Sequence, residues 1–480
     1  MPRNIEEILG DMHFFSSLFG EDQRVVQAKR RMLKKVWSLF KVRYCHLVQP
    51  ESLFLISVPN RVEVLGKHTD YQGGETVVFA GPKNFFAICG RSKDGLTELM
   101  NAESSLGTTL MEISNKTVRL LAEATGSHYS YTVAKRLLSN LERTPVSTPC
   151  NVKAVFCGDI PFGGGSSGSS SKLVMDFLIF TSAGGIFSQR EFRALLRANA
   201  LKAGMLLNQE GVDDFLLPLS MYLAHYENGL DFGELKGDRG VGTFGGSEDH
   251  TAILLGEVNK LLYCRFCPTE VIDKLQLPKG YLIVVAYSGM RAEKTKDTMA
   301  KYNFLSVAAS DAVSRLNGLC QSSFSYLRDF YRELPAGERA FRASAQLGGC
   351  KDLSERAFHF FQESALISEA VEKLREGRME EFGRLINRSH ELSRDYLKNI
   401  VPEIEFLQKS AVELGALGAS GFGAGFGGSC YALTERTQLE TFLDEWKSNY
   451  TRTFPEQGNE SRFDLYPACR GAYLEKVYGT

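Results

Sequence analysis

Residues 161–174 read Pro-Phe-Gly-Gly-Gly-Ser-Ser-Gly-Ser-Ser-Ser-Lys-Leu-Val, a composition suited to holding an anion. Glycine lets main-chain N–H groups come close to an oxyanion, and a helix that follows offers free N–H groups at its positive end. Serine hydroxyls add donors, or oxygen ligands for magnesium. Flexible linkers share this composition. Here, however, an apolar strand-like segment (residues 151–161) comes before, and Leu173, Val174, Phe177 and Leu178 recur with helical spacing after, so the run is read as a built loop. Gly163 and Gly168 have the Walker A spacing, but Ser169 stands where lysine is required. The glycine order of a dinucleotide fingerprint is also missing. The chemistry implied is triphosphate binding by another type of loop.

Composition bounds the rest. The 480 residues suggest two domains, and 43% hydrophobic with 24% charged residues is globular. A formal net charge of −1 gives no basic field, so nucleic acid is not an expected partner and a charged substrate must be held by local groups. The N-terminal residues have no basic region followed by an apolar run, and no apolar stretch is long enough to span a bilayer. Ten cysteines are scattered; Cys264 and Cys267 form one C-x-x-C with no second pair at metal spacing, in a segment that alternates like a strand. A reducing cytoplasm is expected, with no membrane partner and the oligomeric state left open.

Several elements must position the loop. Residues 1 to about 50 are amphipathic and helical, with Val25, Val26, Met32, Leu33, Val36 and Leu39 near one face. Residues 53–59 and 61–66 read as two short strands, the second ended by Gly66 and followed by the polar loop Lys-His-Thr-Asp-Tyr-Gln-Gly-Gly. A helix is expected from Ser188, with Glu191 completing a capping box. Residues 230–246 read as a long loop ending at Gly-Gly-Ser-Glu-Asp-His-Thr-Ala-Ile-Leu. Residues 281–286 suit a strand buried on both faces. A helix entered at Pro402 places Ile404, Leu407, Ala411 and Leu414 together. A second glycine cluster, residues 415–428, runs into another apolar strand. Strands mixed irregularly with helices indicate an α+β fold.

Three of these segments together resemble a known family. Residues 59–74, PNRVEVLGKHTDYQGG, are similar to the galactokinase signature. PFGGGSSGSSS resembles the ATP motif of the GHMP kinases, and GFGAGFGGSCYAL (residues 421–433) resembles their third motif. Residues 387–411 are similar to the galactokinase region before that turn, so the resemblance covers roughly residues 50–435, in order. It implies a ribosomal S5 domain 2-like domain at 1–278 and a ferredoxin-like α+β domain at 279–480, with the active site in the cleft between them. It also implies a sugar 1-kinase using ATP and Mg2+.

By the same resemblance, Asp249 is the base for the sugar hydroxyl and Arg61 the arginine beside it. Phosphoryl transfer needs such charge neutralisation and an oriented hydroxyl. Gly163, Gly164, Gly165, Ser166, Ser167, Gly168 and Ser169 hold ATP, and Ser169 with Glu227 holds the metal. Lys67, His68, Asp70, Gly246 and Tyr302 face the sugar. Glu227 also reads as an exposed helix-end carboxylate, and Tyr302 as a structural tyrosine.

Four positions depart from the family. Lys67 replaces a glutamate and Glu63 an asparagine; either the lysine meets a substrate carboxylate, as in a uronic acid such as galacturonate, or Glu63 and Lys67 satisfy one another or a neighbour. His250 replaces a glutamine. Glu248 replaces a methionine and is expected to point away from Asp249. Galactose, arabinose, galacturonate and N-acetylgalactosamine all stay open as substrates. A catalytically silent sugar and ATP sensor is a further alternative, as is a non-sugar acceptor such as mevalonate, which would leave His68 and Asp70 unsatisfied.

Overall fold

The computed structural model describes residues 2–161, 163–206, 215–290, 296–341, 347 and 349–479. A two-residue strand, β1 (Arg3–Asn4), leads into helices α1 (Ile5–Gly10), α2 (Met12–Phe19) and α3 (Gln23–Tyr44). Each helix starts on a short polar side chain. Asn4, Asp11 and Asp22 accept first-turn N–H groups that no carbonyl within the helix can serve. The stripe Val26, Leu33, Val36, Trp37 and Phe40 of α3 is buried in one apolar cluster with residues of the first sheet.

That sheet contains β2 (Phe54–Leu65), β3 (Glu75–Arg91), β4 (Thr97–Asn101), β5 (Thr108–Ile113), β6 (Val118–Ala122) and β7 (Val152–Gly158). It also contains β8 (Leu261–Arg265) and β9 (Glu270–Leu275). The two short strands expected from residue 53 are one strand, because pairing to β3 continues through an irregularity between Pro59 and Arg61. Proline has no N–H for the ladder, and such a break re-aims the side chains after it. Helices α4 (Ser127–Leu141), α5 (Gly168–Ala183), α6 (Arg190–Lys202), α7 (Leu216–Asn228) and α8 (Glu248–Leu255) follow in order. Their apolar side chains join those of the sheet in one large core, in which α5 is buried from Ser170 to Ala183. The expected cap at Ser188 does not form. Its hydroxyl closes the preceding turn on the Gly185 carbonyl, and α6 starts at Arg190.

A second sheet, in the order β11-β12-β10-β13, is antiparallel throughout. It comprises β10 (Tyr281–Tyr287), β11 (Gly418–Gly421), β12 (Ser429–Glu435) and β13 (Arg462–Leu465). Between β10 and β11 come α9 (Lys296–Cys320), α10 (Leu327–Glu333), α11 (Ala336–Phe341), α12 (Lys351–Arg375), α13 (Met379–Leu392) and α14 (Pro402–Glu413). Helices α15 (Leu439–Thr453) and α16 (Pro455–Gly458) precede β13. One face of this sheet packs Val284 and Ala432 against Leu407 and Trp446. The other packs Ile283, Val285 and Tyr431 against Val62 and Val64 of β2, with α12 and α13 in the same cluster. Strand β2 therefore runs through the seam between the two halves.

The architecture is α+β, with two sheets and their helices meeting along β2. The chain changes sheet between β9 and β10, but a division at 279–480 needs correction at its end. The last strand, β14 (Tyr473–Tyr478), pairs antiparallel with β2 and parallel with β1, in the first sheet. All ten cysteines are unpaired; Cys264 lies in β8 and Cys267 beyond its end. Among the described residues no helix is long and apolar enough to cross a membrane.

Candidate active site

A cavity of about 600 Å3 opens where the two halves meet. Arg61, on β2 just past the Pro59 irregularity, is 6% exposed and points into it. Its Nε donates to Asp249 Oδ1 at 2.6 Å and its Nη2 pairs with the same carboxylate. Nη1 donates to the Gly165 carbonyl at 3.3 Å. One guanidinium thus joins the first turn of α8 to the glycine-serine loop. Burial works to lower the Arg61 pKa, but the carboxylates of Asp249, Glu248 and Glu63 together raise it above its ordinary value.

The loop is shaped by its backbone. Ser167 sits at φ 59° before α5 and makes no side-chain cap, so the first N–H groups of the helix stay open to the cavity. Its buried hydroxyl has no hydrogen-bond partner among the described residues and faces the same space. Gly163, Gly164, Gly165, Gly168 and Ser169 also line the cavity. Ser166 does not: it is buried, and its carbonyl accepts the Arg61 N–H at 3.3 Å. The second glycine cluster interlocks with the first. Ser429 Oγ donates to Gly164 O at 2.7 Å, and a Cβ at Gly423 (φ 77°) would collide with the Gly165 carbonyl.

Ser169 and Glu227 both reach the cavity wall, and Glu227, 6% exposed at the end of α7, is not the exposed carboxylate of the alternative reading. Ser170, which sequence reasoning passed over, ties the group together. Its Oγ lies 2.7 Å from Glu227 Oε2, to which it donates, and 3.2 Å from Asp249 Oδ2.

His68, Asp70, Tyr71, Gly245, Gly246 and Tyr302 also line the cavity. Asp70 Oδ1 accepts the Tyr71 N–H at 2.9 Å, and Oδ2 accepts the N–H of Glu248, the first residue of α8, at 3.2 Å. Burial pushes the Asp70 carboxyl up to about 6, with the Asp249 charge adding and the two N–H groups opposing. Burial and the Arg356 charge push His68 down to about 3, so its ring is neutral at physiological pH. Gly246 packs so closely on Asp70 that any Cβ there would strike the carboxylate. The Tyr302 ring lies 5.5 Å from that of His68.

Two sequence-based expectations fail. Lys67 does not line the cavity. Its Nζ turns inward and donates to Ser389 Oγ at 2.8 Å; Ser389 in turn donates to Glu363 Oε1 at 2.7 Å, which also accepts the Gly66 N–H at 2.9 Å. The lysine is satisfied by α12 and α13, as the alternative reading of a neighbouring partner had it. Nor does Glu248 point away. It is 4% exposed, lines the cavity, and sits 3.3 Å from Arg61 Nε. Burial and the neighbouring Glu63 raise its carboxyl well above the usual range, Arg61 opposing. Glu63 Oε2 accepts the Gly423 N–H at 2.8 Å.

Arg356 was not anticipated either. It occupies a position of the α12 apolar stripe, where Leu353, Ala357 and Phe360 are its buried neighbours at helical spacing. Its Nη2 donates to the His68 carbonyl and to Tyr71 Oη, and its Nε to the Leu305 carbonyl on α9. A cation interrupting an apolar stripe was the available signal. Phe85, Tyr129 and Phe156, with Thr125 and Gly126, line another part of the cavity.

Two family models match this chain: "Galactokinase galactose-binding signature" at residues 38–91 and "GHMP kinases C terminal" at residues 370–452. It is 25% identical over 395 residues to galactokinase of Exiguobacterium sibiricum, covering 80% of this chain and 85% of that one. It is 24% identical over 422 residues to galactokinase of Pyrococcus furiosus, covering 85% and 99%. Lactococcus lactis galactokinase, solved with galactose, superposes with a TM-score of 0.71 at 20% identity, covering 92% and 98%. A mevalonate kinase superposes with a TM-score of 0.50 at 14% identity, covering 87% and 99%.

Proposed function

We propose that this chain, which resembles the galactokinases in motifs, fold and sequence, is an ATP-dependent sugar 1-kinase. It transfers the γ-phosphoryl group of ATP to the anomeric hydroxyl of galactose or a closely related sugar. The observation that carries this reading is the Arg61–Asp249 pair, set between the anion loop and the polar wall of His68, Asp70 and Tyr302.

The nucleotide's triphosphate lies over Gly163–Gly165 and Ser167–Ser169, with the base against Phe85, Tyr129 and Phe156. Asp249 accepts the proton of the sugar hydroxyl as that oxygen attacks phosphorus. Arg61 holds the carboxylate in place and offers positive charge to the transferring group. The donor set fits a divalent cation, since the Glu227 carboxylate and Ser169 hydroxyl share the cavity wall. Such an ion, Mg2+ in the simplest case, would be held by Ser169 and Glu227 and would neutralise charge on the β- and γ-phosphates.

The polar wall suits a polyol, each hydroxyl of which must find a partner when buried. The inward turn of Lys67 removes the reason for expecting a uronic acid. A reducing cytoplasmic setting accords with ten unpaired thiols.

The direct test is ADP release with galactose, arabinose, galacturonate and N-acetylgalactosamine, with the product identified by mass. Turnover of a neutral sugar and none of galacturonate is expected. ATP binding without turnover of any sugar would favour the silent sensor. A pH dependence follows as well. Free Asp70 takes up a proton below about pH 6 and then accepts sugar hydroxyls poorly. The sugar KM should therefore rise about tenfold per pH unit below 6, and Asp70→Asn should have a weak but pH-independent KM. A flat wild-type profile from pH 5 to 7 would refute the role of Asp70.

A further inference from the structure

Next to Asp249 on α8 lies a side chain with no place in the mechanism above. His250 is 2% exposed and lines the cavity, yet among the described residues neither of its ring nitrogens has a hydrogen-bond partner. Buried polar atoms are rarely left so, and one that faces a site points to something the site binds. Its Nε2 is 3.3 Å from Glu227 Oε2. That is close enough for an ion pair, yet the two make no hydrogen bond. A nitrogen and an oxygen at this distance, not bonded to one another, can both aim at a third point. Adjacent ligands in an octahedron, each about 2.1 Å from the metal, lie roughly 3 Å apart.

We propose that His250 Nε2 and Glu227 Oε2 are neighbouring ligands of the divalent cation in this chain, which makes the site mixed nitrogen and oxygen and favours a first-row transition cation over Mg2+. The inference rests on the kinase reading, because it places the ion beside the nucleotide phosphates. Mg2+ takes oxygen ligands and gains little from an imidazole, whereas transition cations bind imidazole nitrogen readily. Ser169 and the phosphates supply the remaining oxygens.

The experiment uses the full-length protein with Mn2+ and ADP, read by electron spin echo modulation. Coupling from a histidine nitrogen should appear in the wild type, change character when the protein is grown with 15N-labelled histidine, and vanish in His250→Gln. Titration followed by the free Mn2+ signal should show affinity about tenfold or more weaker in His250→Gln. Mg2+ affinity, measured by competition, should change less than about twofold. Glu227→Gln is the companion variant. Loss of Mn2+ binding in Glu227→Gln, with no histidine coupling in the wild type, overturns the role of His250 and leaves the cation site standing. Mn2+ binding unaffected by either substitution overturns the cation site itself. Because the coupling is sought in unmodified protein, the answer does not depend on a variant folding.

Discussion

Asp249→Asn should lower turnover by about 10^2- to 10^4-fold, the range for removing a positioned proton acceptor. The substitution is chosen because it spares the geometry. An asparagine oxygen can still accept from Arg61 Nε, as Oδ1 does at 2.6 Å, and α8 still begins on the Asp70 carboxylate. What disappears is an oxygen able to take the hydroxyl proton. Nucleotide affinity should stay within a few-fold of wild type, since the anion loop lies on β7–α5 and not on α8. ADP release in the presence of saturating sugar, alongside calorimetric titration of ADP, separates the two effects. Activity within tenfold of wild type would show that proton acceptance by Asp249 is not what limits phosphoryl transfer.

Lys67→Glu should cost about 3–5 kcal/mol of stability, enough to empty the folded state of many proteins. The wild-type ammonium is wholly buried. Burial lowers its pKa, and the charges of Glu363 and Glu63 oppose that. The exchange would set a third carboxylate beside those two and strip Ser389 of its donor. A fall of several degrees or more in the thermal midpoint, or loss of folded protein on expression, is the expected outcome. Lys67→Met should be milder, because it removes a charge without adding the opposite one. A Lys67→Glu protein that melts with the wild type would mean that Lys67 is not held as described. No gain of activity on neutral hexoses is expected from either variant.

These two positions also show what could be read in the sequence. The glycine-serine run, Arg61 and Asp249 were legible because their chemistry depends on residue type and local order, and the structure brings them together. The rotation of Lys67 was not, because Glu363 and Ser389 lie some three hundred positions away and carry no local mark. Glu248 was noticed as a departure but given the wrong direction. A carboxyl beside a carboxylate is costly until the nearby Arg61 guanidinium is counted, and that comes from β2. Residues 54–65 looked like two strands since Pro59 interrupts the ladder, but β3 continues on the far side of the break. The pairing of β14 with β2 had no signal at all, because register between chain ends is set only when both sheets exist.

That last pairing has a mechanical consequence. The second sheet and its helices are attached to the first by two covalent crossings, one before Tyr281 and one between Leu465 and Tyr473. A body attached at one point can swing in any direction, but one attached at two can only pivot about the line through them. Access to the Arg61–Asp249 pair, whose carboxylate is partly exposed, is then like that of a book opening on its spine. Cutting the 466–472 segment would convert that hinge into a loose tether.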